Sequence, residues 1–395
     1  MTSGVVSAAP LGSLIDRGHK PREPASDDEV WHLNLDQIEP HTGRVLSKRM
    51  VSVRELGPST YTFDRGTVLY SKLRPYLNKV VVADADGVAT TELVPLRCDA
   101  SRLSAQYLVY FLRGPDFLRF ATNVVAGAKM PRMVMSEFWG FPVPLPPLPE
   151  QRRIAAILDQ ADALRAKRRE ALVQLDSLTQ SIFVEMFGGQ QSQDWSIETI
   201  ADVAAAHNGS IRTGPSGSQL LHSEFVAEGV AVLGIDNAVA NEFRWGERRF
   251  ISEAKYRDLR RYTIRPGDVL ITIMGTRGRC AVVPDDIPVS INTKHLCCIT
   301  LNAMKCRPEF LHAFFLRHPM ARAYLEQTSK GAIMSGLNMG LIKSMPIAVP
   351  PLALQQTFAT RIRAVESLKA NHRAALAELG ALFASLQHRA FAGTL

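Results

Sequence analysis

Between Pro149 and Gly188, apolar or small residues recur in alternating steps of three and four. They are Ile154, Ile157, Ala161, Leu164, Ala171, Leu175, Leu178 and Ile182, with Arg168 in the one polar slot. That spacing predicts a long amphipathic helix carrying a coiled-coil seam. Its start is set by Pro146-Pro147-Leu148-Pro149-Glu150-Gln151. Residues before proline are pushed out of the helical region, and Pro149 fits a first helical position, where a missing N–H costs nothing. Glu150 complements the positive end of the helix dipole, and Gly188-Gly189 is suited to a C-cap. A second such stretch follows Pro350-Pro351-Leu352, with seam residues Phe358, Val365, Leu368, Leu379, Leu382 and Leu386.

The two stretches belong to a tandem duplication. From Pro146 to Pro350 the offset is 204 residues, and it carries Gln151 onto Gln355, Leu164 onto Leu368, Arg168 onto His372 and Phe187 onto Phe391. Upstream it places Gly127, Met130, Met135 and Pro142 on Gly331, Met334, Met339 and Pro346. The offset is 201 where Gly66-Thr67-Val68-Leu69 meets Gly267-Asp268-Val269-Leu270, and 200 where Leu33 meets Leu233. A period this long excludes a solenoid, whose repeats run to a few tens of residues.

Within each copy the pattern switches to short strands and a few helices. Strands are predicted near 31–38, 61–70, 79–83 and 94–96, and again at 230–235, 269–273 and 281–283. Helical spacing returns at 103–120 and 308–316. The expected fold is α+β: two similar domains separated by two long antiparallel coiled-coil helices, with pseudo-two-fold symmetry. The expected boundaries are 1–147 for the first domain, 148–188 for the first helix, 189–194 for a linker, 195–349 for the second domain and 350–395 for the second helix. A helix of about 38 residues spans roughly 57 Å, or one and a half turns of B-DNA at about 34–36 Å per turn.

Composition narrows the function. A chain of 395 residues, 46% hydrophobic and 21% charged, fits an ordinary globular protein. Its formal net charge of +8 points to an acidic partner, nucleic acid first. No basic start followed by an apolar run opens the chain, and no stretch reaches a membrane-spanning length. The five cysteines lack C-x-x-C spacing, so a zinc site or a disulfide framework is not expected. Pro284-Asp285-Asp286 has no following Glu-x-Lys, and no glycine-rich phosphate loop appears. His312 and His318 read as packing or capping residues. A binding protein without a reaction centre is expected, with no catalytic residue and no metal site.

Pro-Pro-Leu-x-Glu-Gln-x-x-Ile opening a long helix, used twice and joined to Gly-Asp-Val-Leu modules, resembles the specificity subunit of type I restriction–modification systems. Tyr70-Ser71-Lys72-Leu73-Arg74-Pro75-Tyr76-Leu77, Gly214-Pro215-Ser216-Gly217-Ser218-Gln219-Leu220 and Gly229–Asn237 add to the likeness, which covers nearly the whole chain. The second helix departs from the pattern: Leu352-Ala353-Leu354-Gln355 lacks the glutamate. The resemblance implies two target-recognition domains, each reading half of a split double-stranded DNA target. It implies helices that dock two modification (methyltransferase) subunits, joined by restriction (translocase and endonuclease) subunits. S-adenosylmethionine, ATP and magnesium would belong to those partners, and the setting would be a bacterial or archaeal cytoplasm. Two other readings are a protein-binding coiled-coil scaffold and the recognition subunit of another class of restriction or methylation system.

Candidate DNA contacts are cations in loops that leave strands. They are Lys72, Arg74 and Lys79 in the first copy and Arg277 and Arg279 in the second, where Gly275 and Gly278 allow close backbone approach. Lys129 and Arg132, then Lys294 and Lys330, and Arg212, Ser216 and Gln219 of the glycine-rich loop, complete the set. The mid-helix run Arg165, Lys167, Arg168, Arg169 fits either a solvated face or a face toward DNA or a modification subunit.

Overall fold

A computed structural model describes residues 7–16, 18–188, 194–330 and 337–395; the side chains of Ser329 and Lys330 also lie outside the description. Residues 189–193 of the predicted linker at 189–194, together with Gly331 and Met334, therefore fall outside it. The chain divides into two compact units, one comprising 1–170 with 373–395 and the other 171–372.

In the first unit, strand β1 (Ala8–Pro10) is followed by β2 (Glu29–Leu33), β3 (Met50–Ser52), β4 (Thr60–Phe63), β5 (Val68–Ser71), β6 (Val80–Val82), β7 (Gly87–Thr90) and β8 (Leu93–Leu96). Then come α1 (Ala105–Leu112), α2 (Pro115–Asn123), the short hairpin β9 (Val125–Ala126) and β10 (Arg132–Met133), α3 (Met135–Gly140), β11 (Pro142–Pro144) and the start of α4 (Leu148–Phe187). Strands order as β3-β2-β7-β4 and β6-β5-β8, with β1 paired to β11. The pair β2–β7 is parallel and brings Trp31 opposite Gly87. Only glycine fits there, because a Cβ would lie 2.6 Å from the Trp31 carbonyl oxygen.

The second unit repeats this plan. Its elements are β12 (Ser196–Thr199), α5 (Ile200–Val203), β13 (Ile211–Thr213), β14 (Phe225–Val226), β15 (Val230–Leu233), β16 (Phe250–Ile251), α6 (Glu253–Leu259), β17 (Val269–Thr272), β18 (Cys280–Val282), β19 (Ser290–Asn292) and β20 (Leu296–Ile299). They continue into α7 (Pro308–Arg317), α8 (Pro319–Lys330), α9 (Met339–Lys343), β21 (Pro346–Val349) and α10 (Leu352–Phe391). The parallel pair β15–β19 answers β2–β7, and β12–β21 answers β1–β11. The copies differ at their sheet edges: the glycine-rich segment contributes β13 to the edge of the β17 sheet, β14 adds a strand beside β16, and where the first unit has β4 the second has a single bridge between Thr263 and Ile291.

One side chain in each copy ties the long helix to the sheet layer. Gln151 is 1% exposed; its Nε2 donates to the carbonyls of Arg102 (2.8 Å) and Pro146 (2.9 Å), and its Oε1 accepts from the N–H of Ser104 (2.9 Å). Gln355 is fully buried and does the same with Lys305 (3.0 Å), Pro350 (2.8 Å) and the N–H of Arg307 (2.8 Å). The glutamine of the repeated Pro-Pro-Leu motif is thus a three-point clamp. It satisfies backbone groups on the loop before α1 or α7 and at the end of β11 or β21.

Each unit holds part of both long helices, packed antiparallel. In the first unit Arg153 donates to the Leu395 carbonyl at 3.0 Å, Arg165 lies 4.5 Å over the Phe383 ring, and Gln387 donates to the Tyr110 carbonyl at 2.8 Å. In the second, Phe358 packs edge-on against Phe183 and Phe187, Arg361 pairs with Glu185, and Lys369 with Asp176 at 2.7 Å.

The predicted seam needs correction. Ile154, Ile182, Phe358 and Val365 are buried, and Leu175 and Leu386 pack against the same cores. Ile157 and Leu379 are half-buried. Leu164 and Leu368 are 50% exposed, Leu178 43% and Leu382 50%. A straight helix turns at about 3.6 residues rather than the 3.5 of a strict heptad, so the inward face drifts along a helix of 40 residues. The inward positions are Leu158, Ala161, Thr179, Phe183, Lys369, Phe383 and Gln387, most of them beside the predicted ones. The buried Lys369 is held by Asp176 and Glu366.

Arg212, placed among the candidate DNA contacts, needs correction too. It is 8% exposed and pairs with the buried Asp268 at 2.8 Å. Asp268, the acid of Gly-Asp-Val-Leu, also accepts from the N–H of Arg265 and the hydroxyl of Thr300. This network ties β13 to β17 and β20 and engages the Arg212 guanidinium within the protein. The cysteines are free. Burial pushes the thiols of Cys297 and Cys306 up to about 12, where they behave as apolar core groups.

His312 is half-buried, with Nε2 at 2.8 Å from the carbonyl of Asn241 and 3.0 Å from that of Cys280. His318 stacks on Phe314, and its Nδ1 accepts from the Met320 N–H at the start of α8. Both are packing groups, and desolvation lowers the pKa of each.

Three outcomes follow for urea unfolding of the full chain. Gln355→Leu strands two buried carbonyls and an N–H and is expected to lose about 3 kcal/mol, the upper end for one unsatisfied group. Phe358→Ala is expected to cost about 3–5 kcal/mol, while Leu368→Ala at a predicted seam position costs less than about 1 kcal/mol. Because folded His312 and His318 bind protons less readily than the unfolded chain, stability is expected to fall as pH drops below about 6.5. In His312→Gln that slope should flatten.

Candidate nucleic-acid interface

In the first unit the segment after β5 is pinned to the β9–β10 hairpin by backbone bonds. Lys72 accepts from the Met133 N–H at 2.8 Å, and Arg74 donates its N–H to Pro131 at 2.7 Å. The turn requires left-handed backbone at Arg74 (φ 49°) and at Asn78 (φ 49°). The result joins the segment carrying Lys72 and Arg74 to the hairpin carrying Lys129 and Arg132, and Tyr76 and Met130 on these two segments are exposed.

These cations are not equivalent. Arg132 grips Glu92 with two nitrogens, at 2.7 and 3.0 Å, and that hydrogen-bonded pairing raises its pKa. Lys79 is turned inward: its Nζ donates to the Leu35 carbonyl at 2.6 Å, and burial lowers its pKa. It is a strut of the loop, and its ammonium is already spent. Arg74 and Lys129 are exposed and Lys72 is half-buried.

In the second unit four loops converge. The β17–β18 turn carries Met274, Arg277 and Arg279 outward, while Thr272 accepts from the N–H of Gly278 and, through its hydroxyl, from that of Arg279 (2.9 Å each). Gly275 and Gly278 both take positive φ, at 67° and 72°. The glycine-rich loop lies against the β19–β20 turn so closely that a Cβ on Gly214 would sit 1.9 Å from the Asn292 carbonyl. Ser216 and Gln219 are therefore carried on the segment packed against the turn that bears the exposed Lys294. Asn241, on the loop after β15, accepts from the Cys280 N–H at 3.2 Å and holds that loop beside Arg279. Lys330 lies outside the described side chains.

The loop at 234–249 was absent from the candidates read from sequence. It carries Arg244 and Arg248, both exposed, and the half-buried Arg249, and it is tied through Asn241 to the start of β18. Desolvation first, then the charges of Lys294 and Arg249, lower the pKa of His295. The run Arg244-Trp245-Gly246-Glu247-Arg248-Arg249 was the available signal, an aromatic set among arginines. Among the described residues no group of three His, Cys, Asp or Glu is placed to hold a metal ion, and no helix is long and apolar enough to cross a membrane. What both edges offer is positive charge, planar donors and backbone N–H groups, the means by which proteins contact phosphates and base edges.

Comparison with known proteins gives a consistent picture. The model of the type I restriction modification DNA specificity domain matches residues 59–174. The EcoDI type I restriction enzyme specificity subunit of Escherichia coli is 29% identical over 189 residues, 47% of this chain and 42% of that protein. The MjaVIII specificity subunit of Methanocaldococcus jannaschii is 22% identical over 304 residues, 71% of this chain and 68% of that one. The solved type I restriction–modification S subunit from M. genitalium shares the fold, with a TM-score of 0.62 at 14% identity over 99% of this chain and 98% of its own. The match to the first of these relatives spans about two fifths of its length. With the duplicated modules, the twin glutamine clamps and the cationic edges in place, the chain is similar to type I restriction–modification specificity subunits, and residues 59–174 match their DNA specificity domain.

Proposed function

We propose that this chain is the sequence-specific DNA-binding subunit of a type I restriction–modification complex and carries no catalytic residue of its own. Residues 1–147 and 195–349 each read one half of a bipartite target. The helices at 148–188 and 350–395 set the unread gap and dock two modification subunits, which methylate adenine from S-adenosylmethionine. ATP-dependent cleavage, with magnesium, belongs to restriction subunits that join the complex. The setting is a bacterial or archaeal cytoplasm.

The observation that supports this most is the repetition of one module, with a loop edge rich in arginine and lysine in each copy and different side chains on the two edges. Two copies of one reader with unlike contacts suit two unlike half-sites. Arg74, Lys72 and Lys129 are the first reader's contacts, with Arg132 steadied by Glu92. Arg277, Arg279, Lys294, Ser216 and Gln219 are the second's.

The test is methylome sequencing of a host expressing the chain with its modification partner. A split motif with a fixed gap is expected, and exchange of residues 195–349 for those of a relative should change one half only. Arg277→Ala or Arg279→Ala should relax reading in the same half by about 1–3 kcal/mol per lost base contact. Wild-type binding should fall steeply with salt, with a log–log slope near −0.9 per neutralised phosphate. A protein-binding scaffold would show no sequence preference, and that result would overturn the reading.

A further inference from the structure

The duplication permits a residue-by-residue comparison of the loop that follows the first strand of each parallel pair. From 29–52 to 229–252 the offset is a constant 200: Trp31 pairs with Met50 as Ala231 pairs with Phe250, and the N–H of His32 reaches the Arg49 carbonyl as that of Val232 reaches Arg249, both at 2.9 Å. Lys48 and Arg248 therefore occupy one structural position in two modules.

The two copies use that position differently. Lys48 is neutralised by Asp84, with Nζ 2.7 Å from a carboxylate oxygen, and sits 4.8 Å over the ring of Trp31, itself 2% exposed and part of the core. In the second copy the neighbouring arginines are engaged, Arg244 with Glu242 and Arg249 with Asp236. Gly246 is packed against that second pair, where a Cβ would lie 2.1 Å from an Asp236 oxygen. Arg248 is exposed and has no carboxylate within ion-pair distance among the described residues. Its guanidinium lies 4.8 Å over the ring of Trp245, which is 39% exposed and braced edge-on by Phe243 at 5.3 Å. Stacking holds the guanidinium plane and leaves its N–H donors available along the edges, the arrangement that suits bidentate recognition. The loop is anchored at Asn241, beside the Arg277 and Arg279 turn.

We propose that Arg248, presented on the Trp245 ring, is a base-reading residue of the second module and contacts a guanine edge in its half-site; this rests on the DNA-reading function proposed above. Lys48, at the matching position of the first module, is a structural cation. The difference supplies part of the reason that two copies of one fold read different sequences.

The test uses the chain assembled with its modification subunits and duplexes carrying the bipartite target, each half-site base pair changed in turn, with binding followed by fluorescence anisotropy. Arg248→Lys and Arg248→Ala are both expected to lose discrimination at one base pair of one half-site, with affinity for the cognate duplex down about ten- to a hundred-fold. Lysine keeps the charge and loses the planar fork. Trp245→Ala should weaken the same preference, and Lys48→Ala should leave every base preference unchanged. An Arg248→Lys variant that discriminates like wild type would overturn the proposal, as would a loss in Arg248→Ala that is uniform across all duplexes, the mark of a phosphate contact. Wild-type protein without any bipartite preference would instead overturn the DNA-reading function. Unchanged thermal unfolding of the variants checks that these exposed positions leave the fold intact.

Discussion

A buried primary amide stands at the start of each long helix, and the placement of everything after it follows. An α-helix leaves its first N–H groups unpaired, and a strand ending against it leaves carbonyls unpaired. Gln151 and Gln355 meet this need sideways, bridging the last residues before the helix and the loop that leads into α1 or α7. An amide carries two donors and two lone pairs on one rigid plane, so three partners can be satisfied at once. Glutamate in the same place would offer no donors to the two carbonyls and would bury a charge. This accounts for the glutamine within a motif that otherwise reads as a helix-start signal of prolines.

The clamp is identical in the two copies, and the loop edges are not. The sheets beneath the loops keep their register, so the positions that carry side chains outward are preserved while the side chains are free to diverge. At one such position lysine has become a partner of Asp84, while arginine in the other copy rests on an exposed indole. Under the proposed function, duplication of a scaffold with divergence of its edge would yield two half-site readers, with stability in the sheets and helix clamps and recognition in the loops.

The long helices show where periodicity stops being informative. Their existence and their proline starts were readable, and a length of about 38 residues was expected where each has 40. Their inward face was only partly so. Leu164 and Leu368 fit a heptad and are half exposed, while Lys369 and Gln387, polar in sequence, are buried and paired. A heptad template assumes that the helix faces one partner throughout, whereas each half of each helix packs on a different globular core and needs a face of its own.

By itself the sequence determined the duplication, the α+β class, the two helices and the location of the cationic loops, since all of these are written in local spacing, turn residues and self-similarity. Tertiary structure decided which of the candidate cations face outward. Arg212 lies in a glycine-rich stretch that reads as a candidate DNA contact, yet it neutralises the buried Asp268; Lys79 looks like its neighbours Lys72 and Arg74, yet its ammonium donates to the Leu35 carbonyl. The cluster at 244–249 joins Arg277, Arg279 and Lys294 only through hydrogen bonds and packing between segments tens of residues apart. Whether a charge is presented or consumed depends on the partner that long-range folding brings to it, and residue type and spacing carry no record of that partner.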